Sequence, residues 1–259
     1  QIEVSGGGDA IYDAVNGAGN GDTLIVGSGT YNGDIDLRGK EIRLFSINPD
    51  DPNVVAHTII DCQNNARGFI FDNGEDANTV IDGFTIINGS TFGESGGAIY
   101  IGEGTSPTIV NVVISDSNVA FAGGGAIYID ANSSPTFSNV TINNCATVFG
   151  GNGGAIYIDA NSTPTFTDLE IRDCSAEGLG GAVYVGPDSN AVFIDCNFID
   201  NSSSFSGGAF YYAPLSISMF EGCVVTGNTA ALSGGGLYYS VGCISEVNDC
   251  NIAGNSSSG

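Results

Sequence analysis

Basic residues are nearly missing from this chain. Lys and Arg together number 5 against 29 Asp and Glu, which gives the 259 residues a formal charge of −24. Binding nucleic acid means neutralising phosphates with Lys and Arg, so that class of partner is excluded. The same shortage excludes polybasic attachment to an anionic membrane. No apolar run reaches the roughly 18 residues that span a bilayer, so no transmembrane segment is expected. Trp is absent, Met and His occur once each, and no Cys-x-x-Cys spacing is present, which leaves little for a zinc site. Yet hydrophobic residues make up 42%, too many for a disordered acidic tail.

Glycine is abundant, at 40 residues, and it marks a repeat. Gly96-Gly97-Ala98-Ile99-Tyr100-Ile101 returns as Ala126-Ile127-Tyr128-Ile129 and Ala155-Ile156-Tyr157-Ile158. Varied copies follow at Ala182-Val183-Tyr184-Val185, Ala209-Phe210-Tyr211-Tyr212 and Gly236-Leu237-Tyr238-Tyr239. Successive steps are 28, 29, 27, 27 and 27 residues. Ile109, Phe137, Phe166, Phe193, Phe220 and Val247 each follow the Ala or Gly by 11 residues, an offset that never changes. All length variation falls in the loop before the next Gly-Gly. Short alternating runs bounded by Asn, Asp, Ser, Gly and Pro read as strands and turns. Fixed offsets in every unit favour a parallel β-helix, one coil per repeat, over a barrel or sandwich.

The first third reads as the start of the same solenoid. Ala10–Val15 has helical spacing and suits a cap on the open first coil. Thr23–Val26, Ile42–Phe45, Thr58–Ile60 and Thr79–Ile86 read as degenerate strands. The expected architecture is therefore all-β, a single domain over 1–259. It comprises a short N-terminal helical cap and irregular coils in 1–89, then six regular repeats of 27–29 residues in 90–259, about eight coils in all. No cap is visible after Ile252. That reads either as a piece of something longer or as an edge that pairs with another molecule. Seven cysteines, an odd number, fall into stacks. Cys196, Cys223 and Cys250 share the inward slot of Val112, Val140 and Leu169, and Cys145 and Cys174 form a second stack; both read as buried free thiols.

The Gly-Gly-Ala-[Ile/Leu/Val] units, with Phe198-Ile199-Asp200-Asn201 as a strict Phe-x-x-Asn motif, resemble the repeats of chlamydial-type polymorphic outer-membrane proteins. The resemblance covers roughly residues 90–259. It implies a surface-exposed passenger β-helix used in adhesion, with no catalytic residues. Ile142 to Cys145 and Ile171 to Cys174 depart from the motif by lacking Asn. The amino-terminal pattern, with Gly21–Val26 and Gly29-Thr30-Tyr31, looks like the start of many pectin-lyase-like right-handed β-helices. That superfamily includes polysaccharide lyases and hydrolases, so a carbohydrate-active enzyme is the alternative.

Direct signs of chemistry are few. Only Arg172 lies in the regular coils; Arg38, Lys40, Arg43 and Arg67 precede residue 70. Asp116, Asp173 and Asp200 share one slot, interrupted by Asn144 and followed by Gly227 and Gly254, and read as turn carboxylates rather than a hydrolytic pair. His57 stands alone, without a nucleophile motif. Asp130 and Asp159 occupy equal places in adjacent coils, where stacked oxygens could hold Ca²⁺ or simply close turns before Pro135 and Pro164.

The strongest functional hint is a tyrosine stripe. Tyr100, Tyr128, Tyr157, Tyr184, Tyr211 and Tyr238 sit two residues after the small residue of each repeat. If the flanking aliphatic pairs point inward, these rings point outward beside Ala98 and its copies, as a strip on the order of 24 Å long. Two roles are open: stabilising the sheet face, or contacting a glycan or a second β-helix. The expected function is a non-catalytic, exported protein, extracellular or on the cell surface. It would act in adhesion or as a structural or filament-forming module through self-association or a glycan ligand.

Overall fold

The computed structural model describes residues 1–259. The chain winds through three parallel sheets of 15, 8 and 7 strands. The eight-stranded sheet begins with Ile35–Asp36 and Phe69–Phe71 and continues with Ile99–Ile101, Ile127–Ile129 and their later copies, ending at Leu237–Tyr239. The largest sheet carries the long strands, such as Val80–Ile87, Thr108–Ser115, Thr136–Asn143 and Thr165–Arg172. The third holds short strands, such as Ser90–Phe92, Asn118–Ala120 and Ala146–Val148. Pairing joins equivalent residues of successive coils: Tyr100 to Tyr128 to Tyr157 in one sheet, and Phe137 to Phe166 to Phe193 in another. This is the parallel β-solenoid of about eight coils that the repeat predicts.

The Gly-Gly pair has two separate causes. At Gly153 φ is +65°, a left-handed backbone that disfavours a side chain. A Cβ on Gly154 would run into the carbonyl oxygen of Gly181 in the next coil. The first glycine makes the bend, and the second lets two coils approach. This bend also corrects one expectation. Ala98, Ala126, Ala155, Ala182 and Ala209 do not share the outer face with the tyrosines; they are fully buried. The strand starts one residue later, at Ile99 and its copies, so two-residue alternation does not extend back across the bend.

The interior is a set of ladders. Phe137, Phe166, Phe193 and Phe220 stack with ring centroids 4.9, 5.0 and 5.2 Å apart. Each such ring contributes about 1.5–3 kcal/mol by leaving water. A polar ladder runs beside them at the turn after the long sheet. The Asn201 Nδ2 donates to Asn228 Oδ1 at 3.0 Å, and the Asn228 Nδ2 donates to Asn255 Oδ1 at 2.9 Å. Those oxygens also accept the main-chain N–H of Asn201 and Asn228. Cys174 occupies the same column: its N–H donates to Asn201 Oδ1, while its Sγ accepts the Cys145 N–H at 3.4 Å. The cysteines that break the Phe-x-x-Asn motif therefore do part of the asparagine's work. All seven thiols are free; Cys250, expected to be buried, is only partly so because it lies in the last coil.

Outside the ladder the backbone must turn sharply. Asp116, Asn144, Asp173 and Asp200 have φ between 53° and 55°, and Gly227 and Gly254 have 71° and 67°. Asn, Asp and Gly are the residues that tolerate this conformation, which explains the mixture at that slot. The helix Ala10–Gly17 buries Ile11 and Val15 against the first strands and covers that end of the core. A second short helix, Pro52–Val55, starts at Asp51, whose side chain accepts the Asn53 N–H. At the opposite end, Ile244, Val247 and Ile252 of the last coil are exposed.

Candidate functional site

The loop that leads from each short strand to the tyrosine sheet separates two surfaces. On one side lie the six tyrosines, in register. Their successive ring centroids are 5.8, 5.1, 4.6, 5.5 and 5.2 Å apart, with planes within 1–20° of parallel. Each ring covers its neighbour's face, so the stripe presents ring edges and hydroxyls to solvent. The Tyr100 hydroxyl donates to Asp130 Oδ2 at 3.0 Å, and the Tyr128 hydroxyl to Asp159 Oδ2 at 2.8 Å. Burial, then the Asp130 charge and hydrogen bond, pushes Tyr100 up to about 12 against a weaker pull from Arg67. Tyr128 and Tyr157 are raised as well, burial first and neighbouring Asp and Tyr groups after it.

Asp130 and Asp159 are thus occupied. Besides the phenols, they accept the N–H of Ala131 and Ala160 with Oδ1. Calcium takes six to eight oxygen ligands. In this structure the two carboxylates are engaged by these phenols and N–H groups, and no third His, Cys, Asp or Glu side chain joins them.

An open cleft of about 390 Å³ crosses the start of the stripe, lined by Arg67, Asp72, Glu94, Tyr100, Tyr128 and Asp130 among others. Arg67 anchors it. Its side chain is only 14% exposed and lies 5.1 Å from the Tyr100 ring centroid. Its Nη2 donates to Glu94 Oε2 at 3.0 Å, and its Nε to the carbonyls of Ser95 and Gly96. The guanidinium therefore clamps the 94–96 loop over the tyrosine sheet. Arg172 is elsewhere: it pairs with Glu170 at 3.2 Å on the long-strand sheet and lines neither cleft described here. His57 Nδ1 sits 2.6 Å from the Asn53 carbonyl, closing the second helix. Burial and the charges of Asp61 and Asp34 push Cys62 up to about 12, which makes that thiol a poor nucleophile.

The second surface was not visible in the repeat. Phe92, Phe121 and Phe149 project from three successive coils, 80%, 59% and 63% exposed. Phe92 meets Phe121 edge-on at 5.4 Å, and Phe121 stacks on Phe149 at 4.6 Å. Phe121 and Phe149 hold φ of +65° and +56°. A left-handed backbone costs a bulky residue about 1–2 kcal/mol, and Gly93 shows the easier solution one coil earlier. Phe92 and Phe149 line the largest cleft, about 840 Å³, which reaches Asp34, Asn64, Asn65 and Asn118 and shares Arg67 and Glu94 with the first. Phe121 and Phe149 sit in the loops of variable length, and Phe92 ends the strand before one of them. Three aromatics just before consecutive Gly-Gly bends were the available signal.

Comparison with known proteins fits the winding. A family model described as "Right handed beta helix region" matches residues 44–228 and 111–259. The chain belongs to the right-handed β-helix family. No curated protein matches this β-helix. Among solved structures it is similar to that of a PL6 family alginate lyase, AlyGC, with a TM-score of 0.54 and 12% identity. The alignment covers 99% of this β-helix and 39% of that chain, so the sequence spans about two fifths of the lyase's length. At that identity the likeness concerns the coil architecture and not the chemistry.

Proposed function

We propose that this β-helix is a non-catalytic, exported attachment module, extracellular or on a cell surface, that offers a rigid face to a glycan or to another copy of itself. The carrying observation is how the polar groups beside the tyrosine stripe are used. Asp130 and Asp159 accept from Tyr100 and Tyr128, and Arg67 is tied to Glu94 and two carbonyls. A general acid or base must reach the proton it moves. Here the candidate groups hold one another, and the continuous ladders make the face stiff. The acidity of the chain adds to this: a −24 surface repels an anionic polymer unless cations gather locally.

A carbohydrate-active enzyme is the second reading. It is favoured by the coil likeness to an alginate lyase and by Arg67, Asp72, Glu94 and Asp130 lining one cleft. The test is to incubate the protein with alginate, polygalacturonate and uncharged β-glucan. New absorbance at 235 nm reports elimination, and new reducing ends report hydrolysis. The attachment reading expects neither. Product that disappears in an Arg67→Gln or Asp130→Asn variant would establish the enzyme instead.

A further inference from the structure

The cleft lined by Phe92 and Phe149 differs from the tyrosine stripe in what it leaves free. Phe92, Phe121 and Phe149 are the exposed aromatics of three adjacent coils, and they form one contiguous patch. Phe149 ends the stack. In the next coil Glu177 accepts the Phe149 main-chain N–H and Gly178 lies against Gly150, Gly151 and Asn152, and the Phe149 ring stays 63% exposed. Two of the three residues keep a left-handed backbone that Gly or Asn would occupy with less strain. Exposure and backbone strain at the same residues, beside the largest cleft, point to a binding role for the rings.

The lining decides the ligand class. The cleft walls beside the rings carry the amides of Asn64, Asn65 and Asn118 and the carboxylates of Asp34 and Glu94. Flat apolar rings flanked by short amide and carboxylate groups match a pyranose, whose C–H face is apolar and whose rim is hydroxyl. The charged residues in the lining are Asp34, Glu94 and Arg67, and Arg67 is already paired with Glu94. No free cation is offered to a uronate or sulfate. A volume of about 840 Å³ lies in the range of about 300–1,000 Å³ usual for small-ligand sites.

We infer that the cleft lined by Phe92 and Phe149, with Phe121 stacked behind Phe149, is a binding site for an uncharged oligosaccharide. This rests on the attachment reading in taking the glycan as held and not cleaved. It names a surface distinct from the tyrosine stripe and a charge class opposite to that of alginate.

The test uses the full chain with uncharged tetrasaccharides of β-linked glucose, mannose and galactose, and a tetramannuronate as the charged control. Binding is measured by titration calorimetry. At least one uncharged probe should bind and the uronate should not. The double variant Phe92→Ser, Phe149→Asn removes the two rings that line the cleft and should lose about tenfold or more in affinity, the scale of one or two ring contacts. Asn suits the left-handed backbone at Phe149, and Phe92 is 80% exposed at a strand end, so the variant is expected to keep the parent's circular dichroism and melting temperature. A control variant, Ile47→Ser, changes an exposed apolar residue that lines neither cleft and should bind like the parent. Three outcomes would overturn the inference: no uncharged probe binds the parent, the double variant binds as tightly as the parent, or the ridge proves to join two copies in sedimentation. Cleavage of a bound probe would instead overturn the attachment reading, and loss of binding in the double variant would still locate the site.

Discussion

Replacing Asn201 by Ala removes the middle of the buried polar ladder. Asn201 is 1% exposed, and its side chain makes three hydrogen bonds. Oδ1 accepts the Cys174 N–H at 3.0 Å, and Nδ2 donates to the Ile171 carbonyl at 3.1 Å and to Asn228 Oδ1 at 3.0 Å. The truncation strands at least the Cys174 N–H away from water, at about 1–3 kcal/mol for an unmet buried donor, and removes two further bonds of about 1 kcal/mol each. A loss of roughly 3–5 kcal/mol is expected. Asn201→Cys supplies an internal control, because Cys174 already serves in this column by accepting the Cys145 N–H on Sγ. The Cys variant should lose less than half as much. Urea unfolding followed by far-UV circular dichroism measures both. In a solenoid the loss can open neighbouring coils first, so hydrogen exchange at Cys174 and Asn201 should accompany it. Equal costs for Ala and Cys, or a cost below about 0.5 kcal/mol for Ala, would refute the ladder reasoning.

Other outcomes follow from the same geometry. Tyr100 keeps its proton to about 12 when folded but only to its ordinary 10.0 when unfolded; its contribution to stability is therefore full below pH 10 and is lost as pH rises through 12. Melting scans with absorbance at 295 nm should show tyrosinate appearing together with unfolding. Gly154→Ala places a Cβ against the Gly181 carbonyl oxygen, so the coils must part; expression and thermal melts should show a loss of several kcal/mol, about 3 or more. Arg67→Met keeps the packing against Tyr100 but drops the bonds to Glu94, Ser95 and Gly96. Amide exchange at residues 93–97 should accelerate while the rest of the chain is unaffected.

The sequence revealed the regular coils because each core position recurs at a fixed offset: Tyr100 to Tyr238 and Ile109 to Val247 align without a gap. It revealed less of the first coils. Phe69–Phe71 and Ile35–Asp36 extend the tyrosine sheet, yet neither carries the Gly-Gly-Ala mark, so their pairing emerges only from three-dimensional register. The alanines were misplaced because alternation assumes a strand, and the Gly-Gly bend interrupts one. The cysteine stack was correctly seen as buried, but its continuity with Asn201, Asn228 and Asn255 depends on equating Sγ with an amide oxygen. The phenylalanine ridge escaped because loops of unequal length have no common offset. The partners of Arg67 come from a loop 27–29 residues away, a separation that no local motif encodes.

The central functional claim is that this face holds a polymer without cutting it. Size-exclusion chromatography with light scattering, run on an uncharged polysaccharide before and after long incubation with the protein, reads both halves at once. The account predicts that protein co-elutes with polymer of unchanged molar mass. Polymer that shrinks with time, or protein that elutes alone, would contradict it.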